Sequence, residues 1–370
     1  MSQARELTAG QTDVSLGVLH GFHPGWFGAV MGTAVIGIIA FSNPGKIAGL
    51  TSAAHGVALA AMILAAALTV VFGVPYVARW FVHPRAALAD LRHPVAGPLY
   101  GTFPGGLLVL AAAIATVGPQ YLSTSTVHDV VAGLAWVGVP LAFVVSVVFA
   151  SLLFLNPEIE THSANGGWFI PPVVNIVVPL ALVPLVPSVG VQTARMLLVL
   201  GYVTWGMGVL LFILVASLLF DRLIFHALPP APLAPSLWIS LGPLGVGGLS
   251  LIRLAQAGAP LWGAASGAVQ AVSLIAALAL WGFGLWWLTV AIVLLVRYLR
   301  SGGVPFGVGL WAFTFPLGAV TAVSVALART LDLGALEGIG AVLFLVLVVS
   351  WVIVAAGTFM AMVNGKAWSR

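Results

Sequence analysis

The stretch Trp311-Ala312-Phe313-Thr314-Phe315-Pro316-Leu317-Gly318 decides how the rest of the chain reads. It lies inside a long apolar segment, as a membrane-spanning helix would, yet it holds a proline and a glycine that helix interiors tolerate poorly. Inside a bilayer, a backbone group freed by proline has to be satisfied by protein or by a water-filled cavity. The stretch therefore predicts a helix broken near its middle and turned away from lipid. Phe313 and Phe315 are two residues apart and point to nearly opposite faces. Phe315 shares its face with Trp311, Ala312, Gly318 and Ala319, and Phe313 shares its own with Gly309, Leu310, Pro316 and Leu317. The bulkier Phe313 face suits packing. A ring on the small-residue face could plug a pore, and it could equally fill a groove between two helices.

Outward from this stretch the composition sets the class. Of 370 residues, 61% are hydrophobic and 6% charged, against about 25% charged in a soluble domain. The fold class is an all-α polytopic membrane protein. The chain has no cysteine, which removes disulfides, thiolate metal sites and cysteine catalysis. A net charge of +4, scattered along the chain, gives no footprint for nucleic acid. A span needs about 20 apolar residues, and ten candidates lie near 24–42, 52–74, 96–118, 129–154, 168–188, 194–219, 235–256, 274–296, 307–329 and 338–362. Residues 1–20 hold Arg5, Glu6 and Asp13 without an apolar core and do not read as a signal peptide. The expected organisation is a tail over 1–20, a membrane domain over 21–365 and a second tail over 366–370.

An even number of spans puts both termini on one side. With the N-terminus inside, the inner segments carry Arg5, Arg79, Arg85, Arg92, Arg222, Arg297, Arg300, Lys366 and Arg370, and the outer ones Lys46, Arg195, Arg253 and Arg329. Nine against four follows the positive-inside rule, so both termini are expected in the cytoplasm. The odd spans differ in kind from the even ones. Pro24-Gly25 with Gly28 and Gly32, Gly97, Gly101 and Phe103-Pro104-Gly105, Pro171-Pro172, Gly242-Pro243 and Phe315-Pro316-Leu317-Gly318 interrupt the odd spans, while the even ones are smooth runs except for Pro140. Pro104, Pro172, Pro243 and Pro316 recur at intervals of 68, 71 and 73 residues, a repeat of one helical hairpin. Five hairpins follow, with broken odd helices inside and smooth even helices against lipid.

Five local patterns carry a resemblance over nearly the whole chain. They are Pro24-Gly25-Trp26-Phe27 with Met31-Gly32-Thr33, His93-Pro94 with Gly101-Thr102-Phe103-Pro104, Trp168-Phe169-Ile170-Pro171-Pro172, Leu241-Gly242-Pro243-Leu244-Gly245, and Trp311-Ala312-Phe313-Thr314-Phe315-Pro316. In their order and spacing the chain resembles the tellurite-resistance/dicarboxylate transporter family, which includes bacterial TehA-type channels and the plant slow anion channels. The resemblance implies five hairpins in quasi-fivefold arrangement around a central pore, in a homotrimer with one pore per protomer. It implies a phenylalanine on the ninth helix that blocks the pore, which by position is Phe315. It also implies a lipid-embedded protein of the bacterial inner membrane, without cofactor, for small anions: chloride, nitrate, sulfite, tellurite or C4-dicarboxylates such as malate.

The candidate pore lining is Gly32, Thr33, Gly101, Phe103, Pro104, Pro171, Pro172, Asn175, Gly242, Pro243, Thr314, Pro316 and Gly318, with Phe315 as gate. Thr33, Thr102, Asn175, Ser240, Ser250, Thr314, Thr321 and Ser324 could each contact an anion or only bond within the protein. The central thirds of the odd spans hold no Asp, Glu, Lys or Arg. A passive anion pore can work with helix ends and hydroxyls, whereas a proton-coupled carrier calls for a carboxylate or histidine in the path. Arg253 and Arg329 could form an anion-attracting mouth or simply snorkel to the interface. Glu158, Glu160 and His162 match no metal spacing and read as a solvated loop. No nucleotide-binding or hydrolase motif argues for an enzyme. The leading expectation is a plugged anion channel or uniporter, and the alternative a proton-coupled carrier for dicarboxylates or sulfite. A non-transporting scaffold would have no need of five broken helices.

Overall fold

Ten helices are long and apolar enough to cross a membrane in the computed structural model, which describes residues 17 and 19–364. They are α1 (Pro24–Phe41), α2 (Ala48–Val82), α3 (Gly97–Gln120), α4 (Thr124–Phe154), α5 (Gly166–Ser188), α6 (Val191–Phe225), α7 (Ala231–Gly258), α8 (Gly263–Arg300), α9 (Val308–Leu331) and α10 (Gly334–Val363). No strand occurs among the described residues. The expected N-terminal tail falls almost wholly, and the C-terminal tail wholly, outside them. Each expected span has its helix, but several even helices run well past it. Thus α2 ends at Val82 and includes Pro75, a second proline inside an even helix beside Pro140 of α4. Apolar length marks the bilayer core, whereas these helices continue beyond it, out to Arg79, Arg222 and Arg300.

The odd helices are built differently. Each opens with 3-10 turns before its α-helical part: Pro24–Trp26, Gly97–Gly101, Gly166–Phe169, Ala231–Trp238 and Val308–Phe313. The α-helical parts begin at Phe27, Thr102, Ile170, Leu241 and Phe315. Pro104, Pro172 and Pro243 stand third in these parts and Pro316 second. In the first turn a missing N–H leaves no bond unmade. The breaks therefore lie at the entrance of each odd helix, and the expectation of a break near mid-span is corrected accordingly.

Five hairpins follow, α1 with α2 through α9 with α10. The odd helices also close a ring, α1 on α3, α3 on α5, α5 on α7, α7 on α9, and α9 back on α1. In the odd spans 72–94% of the apolar window is buried, against 17–28% in the even ones. The ring is thus the core and the even helices its lipid-facing jacket, where Trp136 is 80% exposed. Close approach within the ring needs glycine. A β-carbon on Gly245 would stand 2.3 Å from the backbone carbon of Ala319, so α7 and α9 touch backbone to backbone there. Indoles staple jacket to ring. Trp351 of α10 donates to Thr33 Oγ1 (3.0 Å), Trp281 of α8 to Ser324 Oγ (2.8 Å) and Trp205 of α6 to the Gly247 carbonyl (2.9 Å).

Two ion pairs tie the ends. On the side of the termini, buried Arg79 meets Asp90 of the connecting helix Pro84–Arg92 at 2.6 Å. On the opposite side Arg329 meets Glu337 at 3.0 Å, and Glu337 accepts the Gly45 N–H at 3.2 Å.

Candidate functional site

The five 3-10 segments form their own closed collar, each against the next and the last against the first. Within it, on the side of the termini, lies a cavity of about 520 Å³. Every odd helix contributes to its wall, and along the five helices the lining extends no further than Met31, Thr102, Val173, Ile239 and Pro316. The cavity therefore closes at the level of the first α-helical turns. Phe315 stands at that level, lining the cavity yet only 6% exposed. A β-carbon on Gly242 would lie 3.6 Å from its ring, at ordinary contact, and 3.3 Å from Val173, so the ring rests beside Gly242.

The wall is mostly apolar, with polar groups at the collar. Asn165 Oδ1 accepts the Gly167 N–H at 2.9 Å, and His23 Nδ1 accepts the Gly25 N–H at 3.1 Å. Each side chain thereby caps the helix start two residues on. A neutral His23 with Nδ1 as acceptor carries its proton on Nε2. His23 is the single ionisable side chain among the described lining residues. The Thr102 hydroxyl reaches the carbonyls of Pro24 (2.8 Å) and Leu99 (2.7 Å), tying the first collar segment to the second. Ser236 donates to the Leu233 carbonyl at 2.7 Å. Five parallel helices start around one cavity, and the partial positive charge of their N-terminal ends favours an anion there without any side-chain charge.

Of the gate, pore-lining and hydroxyl candidates from the sequence, Phe315, Pro316 and Thr102 line this cavity, and Gly242 lies beside the ring. The others sit in contacts between helices. Gly32 faces Thr314, whose hydroxyl donates to the Trp311 carbonyl. Thr33 holds Trp351, and Asn175 donates to the carbonyls of Pro171 (2.8 Å) and Ala142 (3.3 Å). Gly318 abuts Val35, Gly101 abuts Ile170, and Phe103 packs with Phe27 and Tyr76. Pro104, Pro171, Pro172 and Pro243 are buried in their first turns. Ser240, Ser250, Thr321 and Ser324 each donate to a backbone carbonyl. Arg253 and Arg329 lie at the far ends of α7 and α9. Arg329 is paired with Glu337, whereas Arg253 is exposed and reaches only Gln256 at 3.5 Å. Glu160 and His162 form an exposed pair, 2.9 Å apart.

The sequence reading missed His23, Asn165 and Ser236, because it searched the apolar centres of the spans. The signal was a polar residue two positions before a glycine at the head of an odd span, as in His23-Pro24-Gly25 and Asn165-Gly166-Gly167.

Comparison with known proteins adds the following. Residues 21–359 match the family described as voltage-dependent anion channel. An uncharacterized transporter of Methanocaldococcus jannaschii is 30% identical over 355 residues, 95% of this chain and 97% of its own length. A sulfite efflux pump of Arthroderma otae is 27% identical over 352 residues, 91% of this chain and 90% of the pump. A malic acid transport protein of Schizosaccharomyces pombe is 21% identical over 345 residues, 89% of this chain and 75% of that protein.

Proposed function

Because the chain belongs to the voltage-dependent anion channel family, we propose that it is a passive channel or uniporter for small anions whose path Phe315 closes. One observation carries this reading. The cavity collared by all five odd helices ends at the level of a phenylalanine ring resting beside a glycine. An anion entering from the side of the termini meets five helix N-termini, a few neutral polar groups and then an aromatic ring. The path is completed beyond the ring, between the small residues of the odd helices, when that ring moves. The ring of five helices supports a quasi-fivefold pore. Orientation follows the arginine count, with the cavity facing the cytoplasm of a bacterial inner membrane and residues 21–365 forming the transport domain. A homotrimer with one pore per protomer completes the proposal. The relatives named for sulfite and malate put those two anions first, ahead of chloride, nitrate and tellurite.

A second reading is kept because one observation favours it. Proton coupling calls for a titratable group in the path, and His23 stands in the cavity wall. The test of function is direct. Purified protein in planar bilayers is given each candidate anion in turn, and macroscopic current and reversal potential are recorded. Anion-selective current supports the channel; electrically silent uptake of sulfite or malate driven by a proton gradient supports the carrier. No anion movement of either kind rejects both.

A further inference from the structure

Arg222 has no role in the site as described, and its surroundings are unusual. It lies in the last turn of α6 and is 6% exposed. Its Nη1 donates to the Ala164 carbonyl, and its buried Nε has no partner. Among the described residues no carboxylate pairs with it within 4 Å; the four that do pair meet Arg79, His162, His226 and Arg329. The nearby Tyr298 hydroxyl is committed to the Pro229 carbonyl at 2.6 Å. Buried Arg79 provides the contrast, since it has Asp90 at 2.6 Å and Tyr100 at 3.4 Å. A largely buried guanidinium without a paired carboxylate is costly, and its field reaches further than that of a fully solvated one.

That field falls on the cavity. Ala164 directly precedes Asn165, which lines the cavity and caps the start of α5. Ala164 is itself buried with Phe149 and Trp168, so low-dielectric material surrounds the contact. We propose that Arg222 is a selectivity residue for the transported anion. Its charge, one peptide behind the cavity wall, raises the anion concentration inside, while its hydrogen bond holds the Asn165 cap in place. Arg222 does not touch the anion; it acts as a positioning and electrostatic residue. The ligand class is a small, solvated anion of either valence. The inference rests on the reading of this cavity as the anion entrance.

The test compares Arg222→Gln, which removes the charge and shortens the side chain, with Arg222→Lys, which keeps the charge. Each is made in the full chain, alone and with Phe315→Ala. In bilayers under a potassium chloride gradient, Arg222→Gln is expected to lower the chloride-to-potassium permeability ratio on the order of 3- to 10-fold at about 50 mM salt, as one charge about 10 Å away would do. The gap should narrow near 1 M salt, where the Debye length falls to about 3 Å, and Arg222→Lys should keep the ratio. In detergent, the concentration of sulfite or chloride that raises the melting temperature should increase by the same factor in Arg222→Gln alone. Equal behaviour of Arg222→Gln and wild type in both assays overturns the proposal. So does equal loss in Gln and Lys, which would mark a structural clamp only. Anion-dependent stabilisation that needs the charge, without current in any variant, upholds Arg222 and rejects the channel. A wild type that neither carries nor binds anions overturns both. Should Arg222→Gln fail to fold, Arg222→His makes the same comparison in one protein. Anion stabilisation near pH 5.5 but not near pH 8.5, beyond any change in wild type, is expected, and its absence rejects the proposal.

Discussion

Phe315 belongs both to the cavity wall and to the main hydrophobic core, and substitution separates the two roles. On the proposed plug, Phe315→Ala is expected to raise anion conductance strongly in bilayers, with Phe315→Leu restoring part of the block, because a plug acts by volume rather than aromaticity. From the sequence alone, a ring projecting into a pore would leave the fold nearly intact when truncated. Its burial changes that expectation. Some stability should be lost, less than the ~3–5 kcal/mol of a sealed phenylalanine cavity, since the vacated space joins the water-accessible cavity. Phe313 is the control. It is half-buried, with its ring 5.0 Å from Trp238 in an edge-on pair. Phe313→Ala should therefore cost about 1–3 kcal/mol, the pair plus part of a buried side chain, and leave conductance unchanged. Current opened by Phe313→Ala but not by Phe315→Ala would reverse the assignment. Spacing put Trp311, Ala312 and Phe315 on one face and all three line the cavity, but so do Gly309 and Pro316 of the Phe313 face, because residues 308–313 are 3-10 rather than α-helix. Which hydroxyls face that cavity was not legible, since Thr33 and Thr102 look alike in sequence and only tertiary packing sends one to Trp351.

At the scale of the element, glycine separates two kinds of helix contact. A β-carbon at Gly245 would overlap the Ala319 backbone, which cannot move without parting α7 from α9, whereas at Gly242 it would only touch Phe315 and Val173. Gly245→Ala should cost at least the ~1–3 kcal/mol of an overpacked site and lower the melting temperature in detergent. Gly242→Ala should keep the melting temperature near wild type and reduce any basal leak by pressing on the ring. Equal melting temperatures would mean that α7 and α9 are not packed this way. The hairpin repeat was readable because proline and glycine recur at near-constant intervals, each marking one helix start. Where within the span the break falls was not readable from proline alone. Proline interrupts a helix interior but suits a first turn, and deciding between them needs the preceding 3-10 turns. Those turns follow from residues outside the apolar run, such as the His23 and Asn165 caps.

For the whole molecule, apolar length was enough to give ten helices and the recurring proline and glycine to place the odd ones inside, but neither gives sidedness or driving force. Sidedness rests on nine cationic residues against four. The chain has no cysteine of its own, so Ser123→Cys and Arg85→Cys can each be labelled without background. An impermeant thiol reagent added to intact cells should reach the cysteine in the α3–α4 connection and miss the one in Pro84–Arg92; the opposite pattern would invert the protein and turn the cavity outward. Driving force is the deeper question, because His23 stands where a proton-coupled carrier would need a titratable group, while the centres of the odd helices carry no charge. Coupling requires not only a titratable group but that the proton cross with the anion, and no second ionisable side chain lines the described cavity to receive it. The reversal potential should accordingly follow the anion gradient alone and stay fixed when a pH gradient is imposed. His23→Asn, which can still cap Gly25 as Asn165 caps Gly167, should leave that reversal potential unchanged. A reversal potential that tracks the proton gradient in wild type and loses this dependence in His23→Asn would make the protein a carrier.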